Sequence, residues 1–249
     1  MKKRVDLLLV DKNIAESRTK AQAMIMAGQI SINGKKVLKS GETYEEDVNI
    51  ISANLHSQWV SRGALKLYHA IQYFNIETSN SICLDLGAST GGFTEVLLSK
   101  KVKKIYAVDV GSNQLHEKLK NDPRIVNLSK TNARYLNEDI IPDIIDIIVC
   151  DVSFISMKKV IQPSLQFLDK ENGAVIGLIK PQFESNKSEI KKQGVIIDSE
   201  IHKRICNEFK EWFTFTCNMK VQGIITSPLK GPKGNVEFFI YAKNNYNYK

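Results

Sequence analysis

The chain has few cysteines, few histidines and no long uninterrupted apolar run. Its four cysteines, Cys83, Cys150, Cys206 and Cys217, form no C-x-x-C pair, and the four histidines do not cluster with them. That spacing excludes a zinc site and a disulfide framework, so no metal is expected and a reducing cytoplasm fits. The most apolar stretch, 140–155, is broken by Asp143, Asp146 and Asp151 and falls short of the roughly 18 apolar residues a spanning helix needs. After Met1-Lys2-Lys3-Arg4, the segment Val5 to Asp11 is too short and too acidic for a secretory core. No membrane partner is expected.

What is present is a chain of 249 residues, 43% hydrophobic, enough for a large domain with a small one beside it. The net charge of +8 suggests an anionic partner such as nucleic acid. The excess is concentrated at one end: residues 1–40 hold nine Lys and Arg against three acids. Here Arg4–Val10 and Ser17–Gly28 read as two helices, the second capped near Ser17 and stopped by Gly28. Gln29–Val37 alternates through Asn33-Gly34 and reads as a hairpin. Arg4, Arg18, Lys20, Lys35 and Lys36 are candidate RNA contacts, suited to phosphates rather than to base readout. The pattern R-x-D-x-x-L followed by S-R-x-x-A-x-x-x-I-x-x-G-x-I-x-I-N-G, from Arg4 to Gly34, resembles the S4 domain, a small α+β RNA-binding module. A polar linker is expected near 53–60, giving domains at 1–58 and 59–249.

The larger domain is organised around Ile82 to Glu95, a short apolar run that passes through Asp85, Gly87, Gly91 and Gly92 and resumes at helical spacing. This is a strand, a tight loop and a helix, where glycines admit a ligand and helix N–H groups face it. The spacing G-x-x-x-G-G, with Ser89 and Thr90 inside it, is not the G-x-G-x-x-G of a dinucleotide loop. Asp85-x-Gly87-x-x-x-Gly91-Gly92 is similar to the first motif of S-adenosylmethionine (SAM) methyltransferases. Asp85, Gly87, Ser89, Thr90, Gly91, Gly92 and Phe93 are therefore candidate cofactor residues, and Asp151, at the end of a later strand, is counted with them. Asp109, 22 residues after Gly87 at the end of the next strand, is placed to bond two ribose hydroxyls. Asn132 reads either as an adenine contact or as a plain turn.

Strands are expected at 81–86, 104–109, 124–129, 144–151, 174–180, 217–226 and 236–242. The fold class is α/β, a Rossmann-like, mostly parallel sheet with helices on both faces. The turn Pro228–Asn235 makes the last strand antiparallel. Parallel strands bind ligands at their carboxyl ends, which brings Asp151 and Lys180 to one rim. The antiparallel strand starts at that rim and delivers Glu237, and Lys66 reaches it from the preceding helix, beside rather than clearly on its apolar face. Lys180 is the candidate to deprotonate or orient a weakly acidic hydroxyl, held by Asp151, with Lys66 and Glu237 completing the network. Desolvation and a second lysine lower an ammonium pKa from about 10.4, while the two carboxylates raise it; spacing does not decide which wins.

Lys66, Asp151, Lys180 and Glu237 are similar to the K-D-K-E tetrad of the FtsJ/RrmJ-like ribose 2′-O-methyltransferases. With the S4-like segment, Ser61–Leu67, Asp151–Ser156, Lys180–Glu184 and Gly231–Phe238, the chain resembles the TlyA (haemolysin A-like) family over nearly its whole length. The resemblance implies SAM as cofactor, ribosomal RNA or ribosomal subunits as partner, and methylation of a cytidine 2′-hydroxyl in 23S rRNA, with 16S rRNA a further target. A membrane-damaging haemolysin and a non-catalytic ribosome-assembly factor are the alternatives. The polar segment 185–198 reads as a lid over RNA or a solvated loop, and 244–249 as a frayed tail.

Overall fold

The structure, a computed structural model, describes residues 2–12, 14–32, 35–48, 50–52, 59–190, 194–231 and 233–244. It divides into two compact units, Met1–Trp59 and Val60–Lys249. The expected linker, apart from its last two residues, and most of the expected tail lie outside the described residues.

In the first unit, β1 (Lys2–Arg4) leads into α1 (Val5–Asp11), and α2 (Arg18–Met26) follows. Ser17 caps α2 by accepting from the Lys20 amide at 3.2 Å, and Gly28 ends it at φ +65°. Then come β2 (Ile30–Ile32), β3 (Lys35–Lys36), β4 (Thr43–Glu45) and β5 (Ile50–Ser52). β2 pairs antiparallel with β3, Ile32 opposite Lys35, and with β5; the expected turn at Asn33-Gly34 lies outside the described residues. Arg4 is not helical: it is extended, and Lys2–Arg4 pairs antiparallel with Thr43–Glu45. That pairing sets Lys2 opposite Glu45, across a separation no local pattern reveals. Val5, Leu9, Ala21, Met24, Ile25, Ile30 and Ile32 close a small core.

The second unit starts with α3 (Gly63–Tyr73) and a βα alternation: β6 (Ile82–Leu86), α4 (Gly92–Ser99), β7 (Lys104–Val108), α5 (Glu117–Lys120) and β8 (Ile125–Leu128). It continues with β9 (Ile147–Cys150), α6 (Lys158–Ser164), β10 (Ala174–Ile179), α7 (Pro181–Glu184), α8 (Ser199–Glu211), β11 (Met219–Thr226) and β12 (Phe238–Asn244). One seven-stranded sheet runs β11-β12-β10-β9-β6-β7-β8. β6 to β10 are parallel, and β12 runs antiparallel between β10 and β11. Central strands buried on both faces read as continuous apolar runs, and every residue of β10 is buried. The strand expected at 144–151 is shorter because Ile145 makes only an isolated bridge, to Leu168. Asp109, Asp151 and Lys180 follow β7, β9 and β10 directly, and Glu237 precedes β12.

Candidate active site

The loop after β6 is pinned by Gly87 and Ala88, whose amides both donate to the Val108 carbonyl, at 2.9 and 3.0 Å. Gly87 has φ +85°, and a Cβ there would fall 2.5 Å from the Asp151 carbonyl oxygen. At Gly92 a Cβ would lie 2.2 Å from Ser61 Oγ and 2.9 Å from the Ala64 amide, so the start of α3 closes on the loop only because no side chain intervenes. Gly91, at φ +92°, places no capping side chain on α4, and the Thr94 amide of its first turn is taken by the Asp85 carboxylate.

Beside this loop is a cleft of about 470 Å³. Of the residues expected at the cofactor, Gly87, Ser89, Thr90, Gly92 and Phe93 line it, Phe93 largely as core with its ring 6.1 Å from that of Phe239. Gly91 is not on its wall, nor are Asp85, Asp109 and Asn132. Asp109 accepts from the Ser89 amide at 2.8 Å and the Gly111 amide at 2.7 Å, which ties the glycine loop to the turn after β7. Asn132 caps a 3-10 turn by accepting from the Arg134 amide, the plain-turn geometry. Asp85 is fully buried beneath the loop; its Oδ2 accepts from Thr94 Oγ1 at 2.6 Å and its Oδ1 has no hydrogen-bond partner. Burial pushes its carboxyl up to about 7, against the Thr94 hydrogen bond and with help from Asp151 and Asp109.

All four tetrad residues line the cleft. Lys66 Nζ is 2.6 Å from Glu237 Oε2, and both residues are buried. Lys180 Nζ is 2.5 Å from Asp151 Oδ1 and donates to Ser153 Oγ at 2.9 Å. Gly231 closes on the free Glu237 Oε1, where a Cβ would approach to 2.5 Å. The cleft thus holds two compensated lysine–carboxylate pairs.

Several supporting residues were not singled out from the sequence. Ser153 lies inside the segment Asp151–Ser156, so its position carried the only signal. Glu184, half-buried and with its pKa raised mainly by that desolvation, accepts from the Met157 amide at 2.7 Å and holds the loop after β9. That loop presents Phe154, 91% exposed at φ +66°, with its ring 5.1 Å from Phe183. An aromatic side chain held outward in a left-handed conformation is a costly arrangement, of the kind that clusters at ligand sites. Asn235 accepts from the Ile196 amide and donates to the Gly194 carbonyl, both at 2.9 Å. Arg204 grips Glu189 at 2.7 and 2.8 Å, and Asp198 caps α8. The described parts of 185–198 are thus tied down; residues 191–193 lie outside the described residues.

In the first unit, the proposed RNA contacts divide. Lys20, Lys35 and Lys36 are exposed, Lys36 lying over Gly28. Arg4 and Arg18 both turn to the buried Asp6: Arg4 through Nε at 3.1 Å and Nη2 at 2.9 Å, Arg18 through Nε at 2.9 Å. Gln22 joins them at 3.0 Å. The Arg4 hydrogen bonds, then those of Gln22 and Arg18, hold the Asp6 carboxyl well below the usual carboxylate range despite its burial.

A parallel sheet closed by an antiparallel penultimate strand, with a glycine loop over its carboxyl edge, defines the class of α/β methyltransferases. The profile of FtsJ-like methyltransferases matches residues 59–244 and that of the S4 domain residues 3–50. The chain belongs to the FtsJ-like methyltransferase family, in its S4-containing TlyA/hemolysin A group. It is 39% identical over 248 residues to the 16S/23S rRNA (cytidine-2′-O)-methyltransferase TlyA of Mycobacterium tuberculosis, covering 96% of this chain and 89% of that one. It is 40% identical over 240 residues to Hemolysin A of Brachyspira hyodysenteriae, covering 96% and 98%. A solved structure from Streptococcus thermophilus superposes with a TM-score of 0.74 at 35% identity, covering 98% of this chain and 89% of that one. Among the described residues no helix is long and apolar enough to cross a membrane.

Proposed function

We propose that the chain is a cytoplasmic SAM-dependent methyltransferase that modifies the 2′-hydroxyl of a cytidine in ribosomal RNA. Residues 1–58 would dock the RNA and 59–249 would transfer the methyl. The observation that carries this reading is the pair of lysine–carboxylate contacts made by two buried lysines, Lys66–Glu237 and Lys180–Asp151, in one cleft beside the glycine loop. A cleft that needs only to bind has little reason to bury two lysines against carboxylates, since desolvating an ammonium is costly.

The loop fits the cofactor: Gly87 and Gly92 keep the cradle clear of Cβ atoms, and Asp109, on its two backbone N–H donors, keeps lone pairs for ribose hydroxyls. When bound, SAM supplies a methyl group on a sulfonium, open to attack in line with the departing sulfur. Lys180 orients the target hydroxyl and takes its proton as the oxygen–carbon bond forms. To do so Lys180 enters the step as the neutral amine and leaves it as an ammonium held by Asp151, while the carbon–sulfur bond of the methyl donor breaks. Ser153 fixes the Lys180 ammonium from a second side. Lys66 and Glu237 hold the far wall of the cleft, where Glu237 Oε1 is an acceptor for a substrate group. Phe154 and Phe183 offer an aromatic shelf on which an unstacked base can rest. The test is transfer from labelled SAM to ribosomal subunits and stripped rRNA, followed by alkaline hydrolysis. Label in alkali-resistant dinucleotides supports ribose methylation; label only in mononucleotides places the methyl on a base and sinks the reading.

A further inference from the structure

The tetrad consumes its own charge, and two cations in the cleft are left over. Lys66 is matched by Glu237 and Lys180 by Asp151. Arg62 and Lys230 line the same cleft, are exposed, and make no side-chain hydrogen bond or ion pair among the described residues. They flank one ion pair. Arg62 stands four residues, about one helical turn, before Lys66, while Lys230 immediately precedes the Gly231 that closes on Glu237.

The cofactor does not account for them. SAM carries a sulfonium, an ammonium and a single carboxylate, a net cation that two unmatched positive charges repel. A ribose inside an RNA chain, by contrast, has a phosphodiester on each side. We infer that Arg62 and Lys230 form a phosphate subsite that grips the backbone flanking the target nucleotide, so that the cleft selects an internal nucleotide of single-stranded RNA over a free nucleoside. This rests on the proposed RNA-methylating function and adds its substrate class. Arg62 supplies a planar fork and Lys230 a point charge, the two usual forms of phosphate recognition. Because the two cations are in solvent, their contribution is sensitive to salt.

The experiment uses the full chain with Arg62→Gln, Lys230→Gln and the double variant. RNA affinity is measured by fluorescence anisotropy against salt concentration, SAM affinity by calorimetry, and transfer by initial rates. Each single variant is expected to raise KM for RNA about tenfold, more than it lowers kcat. Each should flatten the log–log salt dependence of RNA binding by about 0.7, the value for one single-strand phosphate contact. SAM affinity, which also reports that each variant is folded, should stay within twofold. Loss of SAM affinity in Arg62→Gln with RNA binding intact would assign Arg62 to the cofactor carboxylate and overturn the inference. An unchanged salt slope in the double variant would overturn it too, leaving both as solvated surface charges. Anisotropy does not depend on turnover, so a protein that binds RNA with the expected slopes but transfers no methyl would count against the enzymatic reading alone.

Discussion

In the small N-terminal unit the cations stand largely in solvent, two of them gathered around a single buried acid, whereas in the cleft of the larger unit each central lysine is buried against its own carboxylate. Arg4 and Arg18 remain 43% and 53% exposed while bound to Asp6; Lys66 and Lys180 are about one-tenth exposed. Exposed charge attracts a polyanion over distance and is screened by salt. Buried, paired charge gives up that reach and instead gains a fixed position beside its partner. In the proposed function the same residue types serve capture in the smaller unit and chemistry in the larger.

The comparison breaks most visibly at Lys180. Lys180→Ala leaves Asp151 without its ammonium and the hydroxyl without an acceptor for its proton. The expected loss in kcat is about 10²–10⁴-fold with RNA affinity retained, measured by single-turnover transfer. A comparable loss of RNA affinity would mean that the buried lysine serves capture after all. Next in size is Asp6→Asn, which keeps the side-chain shape but frees Arg4 and Arg18. Charge-assisted hydrogen bonds of this kind contribute about 2 kcal/mol, so the N-terminal unit should unfold at lower denaturant at pH 7. The native Asp6 carboxyl is depressed, so its contribution is complete above the unfolded value near 4 and is lost as pH falls below it. The gap between wild type and Asp6→Asn should therefore close in acid.

Asp85 is the converse case, a buried acid with no cation of its own. Its native pKa is raised to about 7, so the folded state holds a proton that the unfolded chain releases above about 4. Stability from this group falls as pH rises from 4 to 7. Asp85→Asn should remove that slope and raise the melting temperature of the ligand-free protein at pH 8 by at least about 2 °C, the shift that 1 kcal/mol gives in a domain of this size. No change at pH 8 would place the orphaned oxygen in contact with water. The smallest effect is expected at Lys20. Lys20→Ala should weaken RNA binding a fewfold and reduce its salt slope by about 0.7 without altering kcat. An altered kcat would contradict a purely docking role.

The glycine loop and the strand-end acids were legible in the sequence because they are set by local spacing. Residues 81–109 hold a whole βαβ unit, and Asp109 follows β7 as its spacing implied. Lys66 was harder to place: its neighbours Leu65 and Leu67 are both buried, and what makes room for a charge between them is Glu237, 171 positions away. Arg4 was read as helix because its partner strand, Thr43–Glu45, lies some forty residues on. Asn235 and Ile196 meet across a loop that carries no periodicity. Where a contact closes over a short segment the residue types announce it; where it closes through the tertiary fold they do not.

The division of charge is tested most directly by measuring transfer against salt. At saturating RNA and SAM, single-turnover rates are compared from 50 to 200 mM salt alongside the RNA concentration giving half-maximal rate. The expected result is a half-saturating concentration that climbs steeply while the maximal rate stays within about twofold, because the buried pairs are screened much less than the exposed cations. A maximal rate that falls in step with affinity would contradict the account, since the catalytic charges would then be as open to solvent as those that capture the RNA.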